Sequence, residues 1–439
     1  MIRRAIAGVI RLAARIFFRR IEIAGAERVP DSPVIFAVNH PNGLIDPLFL
    51  LCFAPRPVSF LAKAPLFRTP LIRWFVRVFD SIPVYRKQDA AQTGVSSPQG
   101  NLETFAKSRE VLQRGGAIAI FPEGTTHSDP RLRELKTGAA RIALGASMPV
   151  SIVPTGLYYT AKQTFRSSAL AVFGPPIAVA PEPVDATGEP NAQSVERLTD
   201  QIERALADVT LQADSHAALE LIARAERIFS AGEQQDLARE LELRRQFVDG
   251  YRYLRERDPA RLARLESEVV RLDAEVALDV KIDGATILRL LLLPIAIIGA
   301  AIHWPIYRLI GIIAKHASRK EDEMIATIKI IGGLVLYPLF WIGLAVLAGR
   351  FRATYAVAVL IGVPLLGYTA LVTLETVDEL IGHLRAARHR DLEPKRKLLR
   401  DEILAVAAEI SAKSTSPSPA VSSSSSPTAA AGSSSAERR

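Results

Sequence analysis

Disulfides are ruled out by arithmetic, because the 439 residues include one cysteine, Cys52. A lone thiol excludes the cystine-stapled scaffolds of small secreted proteins and fits a reducing compartment or a membrane interior. No Cys/His cluster has zinc spacing, and no Gly-x-Ser-x-Gly nucleophile elbow occurs. Helix-turn-helix patterns and aromatic platforms are missing too, which leaves no case for a nucleic-acid partner. The first residues make a poor signal peptide, because Arg11 and Arg15 interrupt the apolar stretch. What is present excludes a disordered chain: 49% of residues are hydrophobic and 23% charged. The length exceeds one ordinary domain of roughly 100–200 residues.

The net charge of +9 sits in the N-terminal fifth, where residues 1–87 hold 14 Lys and Arg against five acids. An anionic partner is implied there. In residues 1–19, Ile2, Ile6, Val9, Ala13 and Ile16 recur at helical spacing, while Arg4, Arg11 and Arg15 share another face. Such a helix lies on an anionic membrane surface.

Later segments predict membrane crossing. Residues 330–348 and 353–374 carry no charge and are each long enough to span a bilayer, so they read as a helical hairpin within residues 286–382. Residues 290–307 form a weaker third candidate, broken by Pro294 and Pro305. Both the N-terminal region and residues 383–411 are basic, which favours two crossings with the third candidate in the interface. Residues 185–285 are a charged helical arm, with an apolar seam at Leu262, Leu265, Val269, Leu272 and Val276. Two heptads suit packing within the chain better than a dimer. Residues 412–439 are rich in Ser, Ala and Pro and are expected to be disordered.

Residues 20–184 have a different pattern. Short apolar runs at 34–38, 82–85, 117–121 and 150–153, with a weaker one at 170–173, alternate with helical stretches at 101–114 and 137–145. This predicts an α/β domain, a mixed sheet flanked by helices. Four strand ends carry polar residues. The first leads into Asn39-His40-Pro41-Asn42-Gly43-Leu44-Ile45-Asp46, where an imidazole held by a carboxylate would be a general base in a fixed tautomer. The second ends in Arg86 and Lys87, and a guanidinium offers a two-pronged grip on phosphate. The third leads into Phe121-Pro122-Glu123-Gly124-Thr125-Thr126-His127-Ser128, a candidate polar pocket wall. The fourth, Val153-Pro154-Thr155-Gly156, reads as a buried strand ending in a turn. Taken singly, each has a plain structural reading: a turn histidine, a solvated cation, an acidic surface turn.

In this order and spacing the four blocks resemble the PlsC-like glycerolipid acyltransferases over roughly residues 20–180. Leu135-Lys136-Thr137-Gly138 also fits. Five residues separate His40 from Asp46 where the common pattern has four, which looks like the longer-spaced, glycerol-3-phosphate acyltransferase-like branch. The resemblance implies that His40 deprotonates an acceptor hydroxyl and Asp46 orients it. Arg86 would hold the acceptor phosphate, with Lys63 a further contact. Glu123, Gly124, Asn39 and Thr125 would shape the acceptor pocket. The implied donor is acyl-CoA or acyl carrier protein, a co-substrate rather than a cofactor, and no metal is implied. The acceptor would be glycerol-3-phosphate or 1-acylglycerol-3-phosphate. A multi-pass place in a bacterial cytoplasmic membrane, with the catalytic domain on the cytoplasmic side, suits the composition. A non-catalytic lipid-binding or scaffold protein with the same fold is the other reading.

Overall fold

Val34–Val38 is a run of five apolar residues, and all five are fully buried. A strand hides both faces only between two layers of structure. A computed structural model places it so, and describes residues 2–68, 70–85, 97–230, 235–273, 284–318, 322–387 and 393–414. The α/β part comprises α1 (Ile2–Phe17), β1 (Arg20–Ala24), β2 (Val34–Val38), α2 (Ile45–Phe53), β3 (Val58–Lys63), α3 (Pro70–Val78), β4 (Ile82–Val84), α4 (Ser97–Gln113), β5 (Ala117–Ile120), α5 (Gly138–Leu144), β6 (Val150–Tyr159), β7 (Ser168–Phe173) and β8 (Ile177–Val179).

The sheet runs β1-β7-β6-β2-β5-β3-β4, with β8 on the first half of β6. Strands β6, β2, β5, β3 and β4 are parallel neighbours, and β6 is antiparallel to β7 and β8. Alternate side chains of β2 divide between two cores. Ile35 and Ala37 face the core with Leu112 of α4 and Ile142 of α5. Val34, Phe36 and Val38 face the one with Phe17 of α1 and Phe49 of α2.

Helix α6 (Ala192–Ala207) alters the predicted domain boundary. Val195, Leu198, Ile202 and Leu206 complete the first core, so this helix belongs to the sheet and not to the arm. The arm proper is α7 (His216–Phe229), α8 (Leu237–Arg257) and α9 (Pro259–Asp273). Leu262, Leu265, Val269 and Leu272 pack within the chain on Ile228 and Leu254; Val276 lies outside the described residues. The membrane region is α10 (Gly284–Leu291), α11 (Leu293–Ala317), α12 (Asp322–Gly349) and α13 (Ala353–Ala387). Then α14 (Glu393–Ser414) returns to the arm, burying Leu399 and Val406 in the same cluster. The basic segment expected over 383–411 is thus in large part a packed helix.

Among the described residues, three helices are long and apolar enough to cross a membrane: 293–317, 324–349 and 353–381. The expected hairpin, α12 and α13, is therefore joined by a third helix of similar kind. Glycines let α11 lie close to α13: a Cβ on Gly299 would stand 2.2 Å from the Leu366 carbonyl, and one on Gly367 would strike the His303 ring. His303 is internally satisfied, with Nδ1 2.8 Å from the Gly299 carbonyl and Nε2 accepting from Trp341 at 3.1 Å. Arg289 reaches Thr376, Tyr307 meets Phe165 of the sheet domain, and Ile310 packs by Gly332. Both ends of the α10–α11 pair thus meet parts of α12, α13 and the domain that lie away from the Gly349–Arg352 turn.

The arm grips one loop of the domain. Arg131 pairs with Asp214, Ala213 N donates to the Pro130 carbonyl at 2.9 Å, and Leu132 N donates to Gln212 Oε1 at 2.7 Å. Arg252 and Arg255 of α8 also face Asp214. Burial opposes the Asp214 charge, but these three arginines outweigh it and hold its carboxyl below the ordinary range. A lowered carboxyl stabilises the fold above its unfolded value, about 3.9, and loses that contribution as pH falls through the native value. Asp214→Asn is therefore expected to lower the melting temperature by more at pH 7 than at pH 3, read by thermal scans at both pH values.

Candidate active site

Strand β2 ends at Val38, and the next residues turn over the carboxyl end of the sheet, where parallel strands commonly present their sites. Gly43 supplies the positive φ of 51° that reverses the chain after Pro41 and Asn42. The turn delivers Asp46 to the first turn of α2, where a helix favours an anion. One residue more than the common spacing does not separate the pair: His40 Nδ1 lies 2.8 Å from Asp46 Oδ2. The Asp46 side chain is wholly buried. It also accepts from the Asn42 backbone N–H at 2.7 Å and from the Tyr159 hydroxyl at 2.8 Å. Three donors suit an ionised carboxylate. Burial, then the Asp46 charge, pushes the Tyr159 hydroxyl well above its usual range, so it stays a neutral donor. With Nδ1–H given to Asp46, the lone pair of His40 is on Nε2. The ring is 17% exposed and stacks on Phe121, centroids 4.1 Å apart.

Glu123 builds the second half of the site. Its carboxylate is buried and accepts from His40 N at 3.0 Å, Arg133 N at 3.2 Å and His127 Nε2. Asp129 N points at His127 Nδ1 from 3.2 Å. A backbone N–H must donate, so Nδ1 holds the lone pair and Nε2 the proton. His127 Nε2 is therefore the donor to Glu123. The His40 carbonyl accepts in turn from His127 N at 3.2 Å. The loop after β5 thus holds the His40 backbone at both its N–H and its carbonyl.

Residues 20–158 match the family model described as Acyltransferase. This segment is an acyltransferase-family domain. Across its wider length the chain is 29% identical to glycerol-3-phosphate O-acyltransferase 1 of Saccharomyces cerevisiae, covering 75% of this chain and 59% of that protein. It is 29% identical to the chloroplastic 1-acyl-sn-glycerol-3-phosphate acyltransferase LPAT1 of Arabidopsis thaliana, over 33% of this chain and 38% of that one. The solved 1-acyl-sn-glycerophosphate acyltransferase PlsC of Thermotoga maritima is 19% identical, with a TM-score of 0.34 over 47% of this chain and 80% of that chain. The chain spans about half the length of the curated relatives it matches, 59% and 38% in these two cases.

Within the acyltransferase domain the other expected site residues differ in placement. Asn39 is committed to the backbone: its amide donates to the Leu157 carbonyl at 3.0 Å and accepts from Leu157 N at 2.7 Å. That clasp fastens the end of β2 to β6. Gly124 has φ 71°, and a Cβ there would strike the Lys136 side chain. Thr125 is exposed beside it. Lys63 closes β3, in register with Val84 of β4. By the strand registers it is level with Pro122 and Asn39, two strands or roughly 10 Å across the sheet from β2. Arg86 and Lys87 lie outside the described residues. Among the described residues, no group of three His, Cys, Asp or Glu side chains could hold a metal ion.

The fourth block is not a turn. Strand β6 runs through Pro154 and Gly156 to Tyr159. Proline removes one ladder donor, but Asn39 clasps the neighbouring strand beyond it, and Pro154 stays paired with Ala37. That continuation is why sequence reasoning missed Tyr159. His127 lay within the quoted Glu block without a role, and its spacing of four from Glu123 is the signal that could have assigned one. Removing the Tyr159 hydroxyl (Tyr159→Phe) takes away a hydrogen bond to a buried charge, worth roughly 1.5–3 kcal/mol. Turnover is expected to fall roughly tenfold with folding preserved, as read by steady-state kinetics beside circular dichroism.

Proposed function

We propose that the chain is a membrane-bound O-acyltransferase that moves a fatty acyl group from acyl-CoA or acyl carrier protein to the hydroxyl of glycerol-3-phosphate or 1-acylglycerol-3-phosphate. One observation carries the reading: an imidazole held 2.8 Å from a buried carboxylate on an acyltransferase-family domain. Nε2 of His40 takes the acceptor proton as the acceptor oxygen attacks the thioester carbonyl. The C–O bond forms, the C–S bond breaks, and the thiolate leaves and regains a proton. No acyl-enzyme is needed. Asp46 stabilises the imidazolium as it forms. The phosphate would be met on the side of the sheet where β3 and β4 end, by Lys63 and Arg86. Glycerol-3-phosphate is the favoured acceptor, because the similarity to the yeast glycerol-3-phosphate enzyme extends over 75% of the chain and that to the plant lysophosphatidate enzyme over 33%.

In this reading α12 and α13 cross the bilayer and α10–α11 enters and leaves on the domain side, as in a cytoplasmic membrane with the domain facing the cytoplasm. A cysteine placed at Arg350 is then expected to react with a membrane-impermeant maleimide from the face opposite the domain in oriented vesicles. Reaction from the domain face would overturn two crossings. For the activity, membranes carrying the chain are offered glycerol-3-phosphate and lysophosphatidate separately with acyl-CoA. Transfer to glycerol-3-phosphate is expected to dominate, and absence of transfer to both with either donor would refute the reading.

A further inference from the structure

Helix α1 has no acidic residue in its first turn and carries Arg15 in its last. Its final carbonyls are tied off by another arginine. Arg166 donates to the carbonyls of Arg15 and Ile16, each at 3.0 Å, and pairs through Nε and Nη2 with Glu375 of α13. Arg19 pairs with Glu379 one turn further along α13. The end of α1 and the turn before β7 are thereby pinned to α13.

Between them lies a pocket of about 340 Å³, whose walls include Arg15, Phe18, Arg19, Arg166, Tyr368 and Val372. Two of its three guanidinium groups are answered by the two glutamates. The third, that of Arg15, has no hydrogen-bond or ion-pair partner among the described residues. One to three turns further into the apolar part of α13, Tyr368 and Leu365 are 62% and 60% exposed. A charged belt followed by an exposed tyrosine and then by exposed leucine and isoleucine is the layering of a headgroup region. The exposed face of α1 continues it with Ile2, Val9, Leu12 and Ile16. Arg11, expected on the charged face of this helix with Arg4 and Arg15, instead turns inward to the Cys52 carbonyl at 2.7 Å. Arg15 is thus held at the pocket while Arg11 serves packing.

We propose that this pocket binds the phosphate of an anionic phospholipid, with Arg15 as its cation and the acyl chains lying along α13. The pocket is separate from the His40 site but touches it through one wall. Phe18 stacks on Tyr159 at 5.6 Å and 27°, and Tyr159 donates to Asp46. A lipid that seats the end of α1 therefore bears on the carboxylate that orients His40.

Native mass spectrometry of the full chain in mild detergent tests the binding directly. Phosphatidylglycerol and phosphatidylcholine are supplied separately to wild type, Arg15→Gln and Arg4→Gln. Arg4 is exposed on the same helix but outside the pocket, so it controls for surface charge. The wild type is expected to retain phosphatidylglycerol over phosphatidylcholine, and Arg15→Gln to weaken that retention roughly tenfold, the scale of one charge-assisted contact. Arg4→Gln is expected to leave it unchanged. Equal losses in the two variants, or equal retention of the two lipids, would overturn the site. Displacement by inorganic phosphate at matched concentration would overturn the lipid and assign a soluble phosphate. A second arm rests on the acyltransferase reading: activity in phosphatidylcholine nanodiscs should rise when phosphatidylglycerol is added, and Arg15→Gln should lose that rise. The binding arm stands whether or not transfer is seen, so the two ideas fail separately.

Discussion

Replacing His40 by alanine is expected to lower acyl transfer by roughly 10²–10⁴-fold, the range that a positioned general base contributes. The ring is part exposed and packs on Phe121, so its removal leaves the sheet and its two cores intact. The loss should fall on turnover, with little change in acceptor KM, because the proposed mechanism sets the imidazole against the hydroxyl and not the phosphate. Asp46→Asn should act through a different route to a similar end. The carboxylate accepts from three donors, and an amide in its place offers only one oxygen. His40 Nδ1 and the Asn42 N–H share Oδ2 while Tyr159 donates to Oδ1, so the amide turns its NH₂ either to the first two or to Tyr159, and in both cases the negative charge beside the imidazole is lost. Steady-state kinetics of both variants, with circular dichroism to establish folding, check this pair.

Glu123→Gln is expected to cost both stability and activity. Three N–H groups converge on this buried carboxylate: the His40 and Arg133 backbones and the His127 ring. An amide must turn its own NH₂ towards at least one of them. Breaking a buried charged network by altering one member costs on the order of 3 kcal/mol. Misplacing the His40 backbone by about 1 Å costs on the order of 10²-fold in rate. A shift of the urea midpoint together with a fall in turnover is the expected pair of readings. His127→Gln keeps a donor at similar reach and should recover a large part of the stability that His127→Ala loses. A Glu123 that merely lined an acceptor pocket would raise KM and leave the midpoint alone.

The two central strands were legible because burial on both faces demands unbroken apolar runs, and 34–38 and 117–120 are such runs. Strand β1 was not, because Arg20 and Glu22 alternate with isoleucines as an exposed-edge strand does. The His40–Asp46 pairing was legible as two residue types near a strand end, and the structure brings the two side chains together through a turn with positive φ at Gly43. The support around the pair was not legible. Tyr159 is 113 positions from Asp46, and only the antiparallel pairing of β6 with β7 and the Asn39 clasp extend β6 that far. Composition assigned α6 to the arm because its outer face is charged like the arm helices, while its inner face joins the first core. The return of α14 to the arm was hidden for a similar reason, since a basic stretch after a membrane helix reads as a solvated tail until Leu399 and Val406 find a cluster to fill.

A single-turnover experiment with a labelled acyl thioester tests the central claim most directly. Full-chain protein in membranes is mixed with the thioester and glycerol-3-phosphate, and label is followed on the acceptor and on the protein, in wild type and in His40→Ala. The expected result is label passing to the acceptor in the wild type, almost none in the variant, and none held covalently on either protein. Transfer at the wild-type rate by His40→Ala, or label accumulating on the protein before it reaches the acceptor, would contradict direct attack assisted by the His40–Asp46 pair.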